Sequence, residues 1–407
     1  MSDQPINPNP GAERDPRNFV GRADTSRRAE EMLRAGQNIL LSDPRRMGKT
    51  FWMLTFASRQ EAADRYRVVF VDYQGVNSTE EFLTKTAQAL ADCLSLPQRF
   101  RSRLEALFDN VDLTASVGLF QLKTAVQSSK TPVEIMESLL VDLDRDLADD
   151  PKAPTLVIAM DEVSDAIMSI ARCSADDARN LLQRLRHLRG VTRRIRWIIA
   201  GSIGFHHILA AAGVSSDVIN DLSNLDFGPL AHADAAELAR RLAMGIRRPT
   251  ITDEAVETVV QVTDAFPSLI QKLFDMMRYD RDSHPAEKIP IEAEEVKQRL
   301  DDFIDDRDQS RDVTHFVTRI TPYYGQNAAL AFRILNYMAR ADGWVALPEL
   351  EAAVAAETGD SFDREAFVAT YNNLVDDHYL VERASRGDST WRYAVIRTIY
   401  RRRRKLL

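Results

Sequence analysis

The segment Asn38–Thr50 constrains the fold of this chain more than any other. An apolar run, Asn38–Leu41, enters a loop that closes on Gly48-Lys49-Thr50, and a helical pattern follows. A strand, a loop of this kind and a helix form a P-loop, in which successive backbone N–H groups wrap a phosphate at a helix N-terminus. In that geometry Gly48 lets the backbone approach closely, Lys49 contacts the β- and γ-phosphates, and Thr50 places its hydroxyl on Mg²⁺. The sequence therefore predicts a nucleotide site with bound Mg²⁺.

The same loop departs from the usual pattern at Asp43, where a P-loop has glycine. A carboxylate beside phosphates is unfavourable unless it points away, although Asp tolerates unusual turn conformations. The alternative interpretation is a strand-to-helix turn that contains Pro44 and carries Lys49 and Thr50 incidentally.

Two further strand ends carry residues suited to the same chemistry. The apolar run Leu156–Met160 closes on Asp161-Glu162, a Walker B pattern in which Asp161 holds Mg²⁺ through water and Glu162 deprotonates the attacking water. The run Ile195–Ala200 closes on Gly201-Ser202. Ser202 is the candidate sensor of the γ-phosphate, and a serine that caps the next helix is the equally good alternative. The predicted catalytic residues are Lys49, Glu162 and Ser202.

Short apolar runs alternate with helical patterns from Asn18 to Phe227. Besides the three runs above, Val68–Val71 and Leu222–Phe227 are candidate strands. Strands that alternate with helices need crossover connections, so we expect an α/β fold with a parallel sheet covered on both faces. Residues 80–150 form a long, mostly helical insertion, within which Val117–Val126 could be a small hairpin.

Length and composition set the outer limits. At roughly 150 residues per domain, 407 residues predict two to three domains. No apolar run approaches the ~20 residues that cross a bilayer. The polar start lacks a secretory signal, and Cys93 and Cys173 have no paired spacing, which fits a reducing cytoplasm. Residues 1–17 are polar and proline-rich and predict a flexible, disordered tail.

The pattern changes twice in the second half of the chain. Residues 18–228 form the predicted core, and residues 229–312 lack strand-like runs and predict a helical lid with a charged connecting helix. In 313–407, three amphipathic helices precede a hairpin signal around Arg386-Gly387-Asp388, with Trp391–Val395 as its second strand. Three helices followed by a hairpin are typical of a winged-helix domain.

These motifs resemble the archaeal-type ATPase branch of the STAND P-loop NTPases, within the AAA+-like group. The resemblance covers 19–405 and rests on the Phe19–Arg22 segment, the Pro44-Arg45-Arg46-Met47-Gly48-Lys49-Thr50 loop, Val71–Val76, Asp161-Glu162 and Gly201-Ser202. It implies a nucleotide-dependent switch with slow ATP hydrolysis and ATP/ADP as cofactors. It also implies that Phe19, Val20, Gly21 and Arg22 lie against the adenine and that the loop residues Pro44 to Met47 bind nucleotide. Arg45 and Arg46 would contact phosphates or a neighbouring subunit; otherwise they are a solvated pair.

The resemblance extends loosely to Ala265-Phe266-Pro267, which is similar to the Gly-x-Pro element of the family's lid, whose proline touches the base. Asp264 or Ala265 stands where the family has glycine. Without that role, Phe266 and Pro267 are a helix start with a buried aromatic. His206-His207 form no metal-ligand motif and are interpreted as a helix-start pair.

The charge is unevenly distributed. The chain carries a net charge of −8, yet residues 383–407 contain nine Lys/Arg and one acid, Asp388. A basic wing and the tail Arg401–Lys405 favour contact with DNA phosphates, but the third helix carries mostly acids, which is poor for reading bases. The tail could instead dock on a protein, or on the acidic segment 292–306 of its own chain. The leading prediction is an ATP-dependent switch, and the alternative is a non-catalytic DNA-binding or scaffold protein with a degenerate nucleotide pocket.

Overall fold

The computed structural model describes residues 4–11, 13–93, 97–109, 121–122, 130–150, 152–202, 204–248, 250–279, 290–306, 310–383 and 385–406. The chain divides into two compact units. The sheet unit comprises Ala23–Asp43 and Lys49–Phe227, and the helical unit comprises Met1–Arg22, Pro44–Gly48 and Gly228–Leu407. The segments predicted as lid and C-terminal domain therefore belong to one compact unit.

The sheet unit alternates strands with helices. Its strands are β1 (Asn38–Ser42), β2 (Tyr66–Asp72), β3 (Phe108–Asp109), β4 (Gln121–Leu122), β5 (Thr155–Asp161), β6 (Ile195–Gly201) and β7 (Leu222–Asn224). Its helices are α1 (Ala23–Arg34), α2 (Lys49–Ala62), α3 (Thr79–Ala91), α4 (Gln98–Leu107), α5 (Pro132–Ala148), α6 (Val163–Cys173), α7 (Ala175–Val191) and α8 (Phe205–Ala212).

Five of these strands form a parallel sheet in the order β2-β5-β6-β1-β7. The interior strand β5 is apolar from Leu156 to Met160 and at most 1% exposed there, because helices cover both faces. The predicted α/β fold with a parallel sheet is confirmed. The order places β6 between β5 and β1, so the carboxyl ends of these three strands meet at one edge.

The insertion between β2 and β5 is mostly helical, as predicted, and contains α3, α4 and α5. Its helix α5 starts with a capping box in which Thr131 and Glu134 satisfy each other's backbone N–H groups. Of the hairpin expected over 117–126, residues 117–120 and 123–126 lie outside the described residues. The described pair Gln121–Leu122 joins Phe108–Asp109 in a short antiparallel ladder.

The helical unit contains ten helices and three strands among its described residues. The helices are α9 (His232–Gly245), α10 (Asp253–Val262), α11 (Pro267–Tyr279), α12 (Ala293–Asp305), α13 (Arg311–Thr318), α14 (Ile320–Tyr324), α15 (Ala328–Arg340), α16 (Leu347–Thr358), α17 (Arg364–Asp376) and α18 (Ala394–Arg404). The strands are β8 (Val345–Ala346), β9 (Leu380–Arg383) and β10 (Asp388–Trp391).

The N-terminal residues differ from the flexible tail that the sequence predicted. Ile6 is fully buried in the apolar core of α9, α10 and α11, and its N–H donates to the Arg241 carbonyl at 3.0 Å. The Arg241 guanidinium donates in turn to the carbonyls of Gln4 and Arg17. The Ile6 side chain packs in an apolar pocket beside α9. The average composition of this polar segment does not reveal a single buried apolar residue.

The last part of the chain contains the expected helices and hairpin, with one correction. β8, β10 and β9 form an antiparallel sheet in that order. The sequence placed Ala394 and Val395 in the second hairpin strand, but β10 ends at Trp391 and α18 begins at Ala394. Val395, Ile396, Ile399 and Tyr400 are buried at helical spacing, so tertiary packing overrides the β-propensity of Val and Ile.

Candidate functional site

The predicted catalytic and metal residues meet at the carboxyl edge of the sheet. Lys49 and Thr50 open α2, Asp161 ends β5, Glu162 follows it, and Ser202 follows β6. Backbone geometry dictates this convergence, because parallel neighbouring strands end at the same edge of a sheet. The sequence therefore identified residues that lie far apart in the chain and close in space.

Thr50 and Asp161 are in direct contact. The Thr50 hydroxyl donates to Asp161 Oδ2 at 2.5 Å, and Asp161 is only 2% exposed. Burial raises the pKa of the Asp161 carboxyl, while the Thr50 hydrogen bond and the Lys49 charge oppose that rise. A hydroxyl and a carboxylate side by side provide oxygen ligands of the kind that Mg²⁺ prefers. These two residues thus fit the metal position predicted for them.

Glu162 is held in an unusual conformation. Its φ of 53° is left-handed, which is costly for a residue with a β-carbon. Its carboxylate accepts a hydrogen bond from the Ser202 hydroxyl at 2.9 Å, and the same hydroxyl lies 3.2 Å from Asp165 Oδ2. The N-terminal cap of α8 is Gly204, so the alternative role of Ser202 as the cap of that helix is not what the structure has. Ser202 instead connects two acids.

Asp165 is the functional candidate that the sequence analysis missed. It lies in the first turn of α6, three residues after Glu162, where helical geometry returns its side chain to the same face. That spacing was the available signal. Burial, followed by the hydrogen bond from Asp165 and the charges of Asp165 and Asp161, raises the pKa of Glu162 to about 7. The Glu162 carboxyl is therefore partly protonated near neutral pH.

Lys49 is buried, and its ammonium donates to the backbone carbonyl of Asp43. Asp43 itself is 5% exposed at the end of β1. The residue that departs from the P-loop pattern thus contributes a main-chain oxygen that positions the lysine. This carbonyl gives the ammonium a defined place in the sheet unit.

The phosphate-loop residues 44–48 belong to the helical unit. Arg46 and Gly48 both have positive φ, 74° and 86°. The Arg22 guanidinium donates to the carbonyl of Met47 at 3.0 Å and to those of Gly228 and Pro229 at 2.8 and 3.1 Å. Arg45 is exposed, whereas Arg46 lies against Gly11.

The N-terminal segment predicted to contact adenine is tightly built into the helical unit. Val20 is buried in the helical core, and the Arg22 side chain is 6% exposed. A β-carbon on Gly21 would lie 2.2 Å from Asp234 Cγ, and Asp234 accepts a hydrogen bond from the Arg22 N–H. The Arg22 side chain therefore holds the backbone of the loops around it. Phe19 is half-buried.

The basic C-terminal end is largely committed to contacts within the helical unit. Arg402 forms ion pairs with Asp301 at 2.6 Å and Asp305 at 2.7 Å, both on α12. Arg403 donates to the Ile304 carbonyl, and the Arg404 guanidinium lies 4.3 Å from the centre of the Phe332 ring. The option that the tail docks on the acidic segment 292–306 of its own chain describes this arrangement.

The hairpin end of this unit has a different character. The Arg383 guanidinium lies 3.7 Å from the centre of the Trp344 ring, and Trp344 is 41% exposed. Arg383 also pairs with Asp388, the single acid of the basic segment.

Within the described ranges, no helix is both long and apolar enough to span a bilayer.

Comparison with solved structures identifies the fold. The chain is similar to a Walker-type ATPase of Pyrococcus abyssi, with 17% identity and a TM-score of 0.61, over 96% of this chain and 98% of that one. It is also similar to the ORC2 protein of Aeropyrum pernix, solved as ADPNP–ADP complexes, with 11% identity and a TM-score of 0.51, over 98% and 97% of the two chains. No protein-family model and no curated protein matches the chain. At such identities the likeness shows the fold of a P-loop NTPase.

Proposed function

We propose that this protein binds ATP with Mg²⁺, hydrolyses it slowly, and uses the nucleotide state as a molecular switch of the STAND, AAA+-like type. The observation that carries the proposal is the Thr50–Asp161 contact at 2.5 Å, with Lys49 and Glu162 beside it at the same sheet edge. Incidental Lys, Thr and Asp residues separated by more than a hundred positions would not converge in this way. The fold shared with Walker-type ATPases supports the assignment.

Each residue has a defined task in this proposal. Lys49 binds the β- and γ-phosphates, and the loop Pro44, Arg45, Arg46, Met47 and Gly48 offers backbone N–H groups and positive charge to them. Thr50 and Asp161 would hold Mg²⁺, directly and through water, and the bound ion would neutralise phosphate charge. Phe19, Val20, Gly21 and Pro267 form the side that faces the base. The Arg22 guanidinium holds the backbone of the adjoining loops through the carbonyls of Met47, Gly228 and Pro229.

Glu162 supplies the base for hydrolysis. Its carboxylate accepts the proton of the attacking water as the water oxygen bonds to the γ-phosphorus and the bond to the bridging oxygen of ADP breaks. Ser202 orients this carboxylate at 2.9 Å, and its position after β6 suits a residue that detects the γ-phosphate. Because its pKa lies near 7, part of Glu162 is protonated at neutral pH, which supports the proposal of slow turnover.

The experiment measures ATP binding and phosphate release in the native protein, Lys49→Ala and Glu162→Gln. We expect Lys49→Ala to lose nucleotide binding and Glu162→Gln to keep it while turnover falls by at least ~100-fold, the usual contribution of a general base. Exposed Lys152 provides a matched control, because Lys152→Ala removes the same charge elsewhere in the sheet unit. Normal binding and hydrolysis in Lys49→Ala would contradict the site assignment.

The element order of 313–407 supports a winged-helix domain, which would pass the nucleotide state on to a partner. We expect the protein to act in the cytoplasm. Because Arg402, Arg403 and Arg404 are engaged with their own chain, this domain suits a protein partner or self-association better than tail-driven DNA binding.

The second candidate is DNA binding through the hairpin, with or without hydrolysis. The observation that favours it is the exposed Trp344 ring stacked on Arg383, next to exposed Arg386, since aromatic and guanidinium groups contact bases and phosphates. A gel-shift titration against salt compares the native chain with Trp344→Ala and with a chain truncated after residue 382. Binding that falls steeply with salt and needs Trp344 supports this candidate; the absence of binding favours a protein partner.

A further inference from the structure

The turn that joins α10 to α11 has an unusual backbone. Two consecutive residues, Asp264 and Ala265, have φ of 46° and 54°. Neither is glycine, so both occupy a left-handed conformation that their β-carbons disfavour. Such geometry persists only where the surroundings hold it. The contacts on each side of the turn show what holds it.

On one side the turn lies against the phosphate loop. A β-carbon on Gly48 would lie 3.8 Å from Pro267 Cγ, so the proline ring faces the loop at this glycine across about the space of one side-chain atom. The Ala265 carbonyl accepts a hydrogen bond from the Leu230 N–H at 3.1 Å. Leu230 directly follows Gly228 and Pro229, whose carbonyls share the Arg22 guanidinium with Met47 of the loop. The turn and the loop therefore form one connected structure.

On its other side the turn holds the last helix of the chain. Asp264 Oδ2 accepts a hydrogen bond from the Val395 N–H at 2.7 Å, and the Ala394 N–H also points to this carboxylate. The N-cap residue of α18, Tyr393, provides no side-chain cap of its own. The Phe266 ring packs edge-on against Tyr393, with 4.8 Å between ring centres. A residue 131 positions away thus caps α18.

We propose that Asp264 is a positioning residue that links the nucleotide site to the C-terminal domain, by capping α18 while its own turn places Pro267 beside the phosphate loop. The inference rests on the proposed function for its ligand, and on the contacts above for the link itself. A shift of the loop on nucleotide binding would move Pro267 and, through the left-handed pair, the cap of α18. Conversely, release of the cap would loosen Pro267 and weaken nucleotide binding.

The chain offers a matched control for the capping chemistry. Asp363 caps α17, a different helix of the same unit, and accepts hydrogen bonds from the backbone N–H groups of Glu365 and Ala366 at 2.9 and 3.1 Å. Asp264→Gly removes the cap and tolerates the left-handed backbone, and Asp363→Gly removes the equivalent cap on α17. Asp264→Asn keeps an oxygen acceptor and a residue that tolerates positive φ, so it serves as the conservative rescue.

The experiment uses the full chain with ADP and ATP as probes. Nucleotide affinity is measured by calorimetry, and hydrogen exchange is followed in the peptide that covers Tyr393–Thr398. We expect Asp264→Gly to bind nucleotide about fivefold more weakly, the equivalent of a lost helix cap. We also expect nucleotide to slow exchange in α18 of the native protein but not of Asp264→Gly. Asp264→Asn recovers part of both effects, and Asp363→Gly leaves both as in the native protein.

Unchanged affinity and an unchanged α18 response in Asp264→Gly would overturn the inference, as would equal effects in Asp363→Gly. A separate arm without nucleotide compares the native protein with Pro267→Gly. Faster exchange of α18 in Pro267→Gly supports the link, and unaltered exchange there overturns it. If the native protein binds neither ADP nor ATP, the proposed function fails, and this nucleotide-free arm alone decides whether the turn and α18 are coupled.

Discussion

Glu162→Gln should stabilise the protein at pH 8 while it lowers turnover by at least ~100-fold, so stability and activity change in opposite directions. Burial and the neighbouring Asp165 raise the pKa of Glu162 from 4.5 to about 7. A carboxyl whose pKa is higher in the folded state contributes stability below its unfolded pKa and loses that contribution as pH rises through its folded pKa. The native protein therefore carries an unfavourable ionised Glu162 above pH 7, and glutamine removes it.

The magnitude follows from the same two values. At ~1.4 kcal/mol per pKa unit, a rise from 4.5 to about 7 corresponds to ~3 kcal/mol, and because Glu162 interacts strongly with Asp165 we expect a gain of about 1–3 kcal/mol. The glutamine amide can donate to Asp165 as the protonated acid does, so the packing is retained. Each kcal/mol raises the thermal midpoint by roughly 2–4 °C in a domain of this size.

The assay is thermal unfolding of the native protein and Glu162→Gln from pH 5 to pH 8. The difference in midpoint should be small at pH 5, grow through pH 7 and level off above it. Exposed Glu105 gives the control, because Glu105→Gln changes the net charge equally without a buried partner. A lower midpoint for Glu162→Gln at pH 8, or a difference that does not vary with pH, would refute the reasoning.

Three further predictions concern the helical unit. Gly21→Ala should lower its stability by about 1–3 kcal/mol in urea unfolding, since φ is 74° and the new β-carbon would overlap Asp234; an unaffected midpoint would contradict this. Ile6→Ala should cost about 2–5 kcal/mol, because the side chain is fully buried, whereas a disordered tail predicts no loss. Arg402→Ala should cost up to ~1 kcal/mol at low salt and almost nothing at 1 M salt, since its acidic partners on α12 are largely exposed; a loss that is independent of salt would argue against the ion pairs.

Local sequence patterns located most residues of the candidate site, because those residues stand next to one another in the chain. The loop from Asp43 to Thr50 and the pair Asp161-Glu162 are continuous in sequence, and strand ends are marked by the change from apolar to polar residues. The sequence did not predict Asp165 as a site residue. Its contact with Ser202 depends on the left-handed backbone at Glu162 and on the position of Ser202 after another strand. Its spacing of three residues from Glu162 is the sequence signal that exists, and ordinary acids in a first helical turn share such a spacing.

The sequence by itself determined the strand–loop–helix that would bind phosphate, the parallel sheet and the order of helices, because periodicity and strand ends are local properties. Only the tertiary structure shows which contacts the polar N-terminus, the basic tail and the turn at Asp264 make. Ile6 is buried because α9 offers it a pocket, and Arg402 is neutralised because α12 places two aspartates beside it. Asp264 caps a helix that begins 130 residues later. Such contacts join residues remote in the chain, and their energies depend on geometry that composition does not encode.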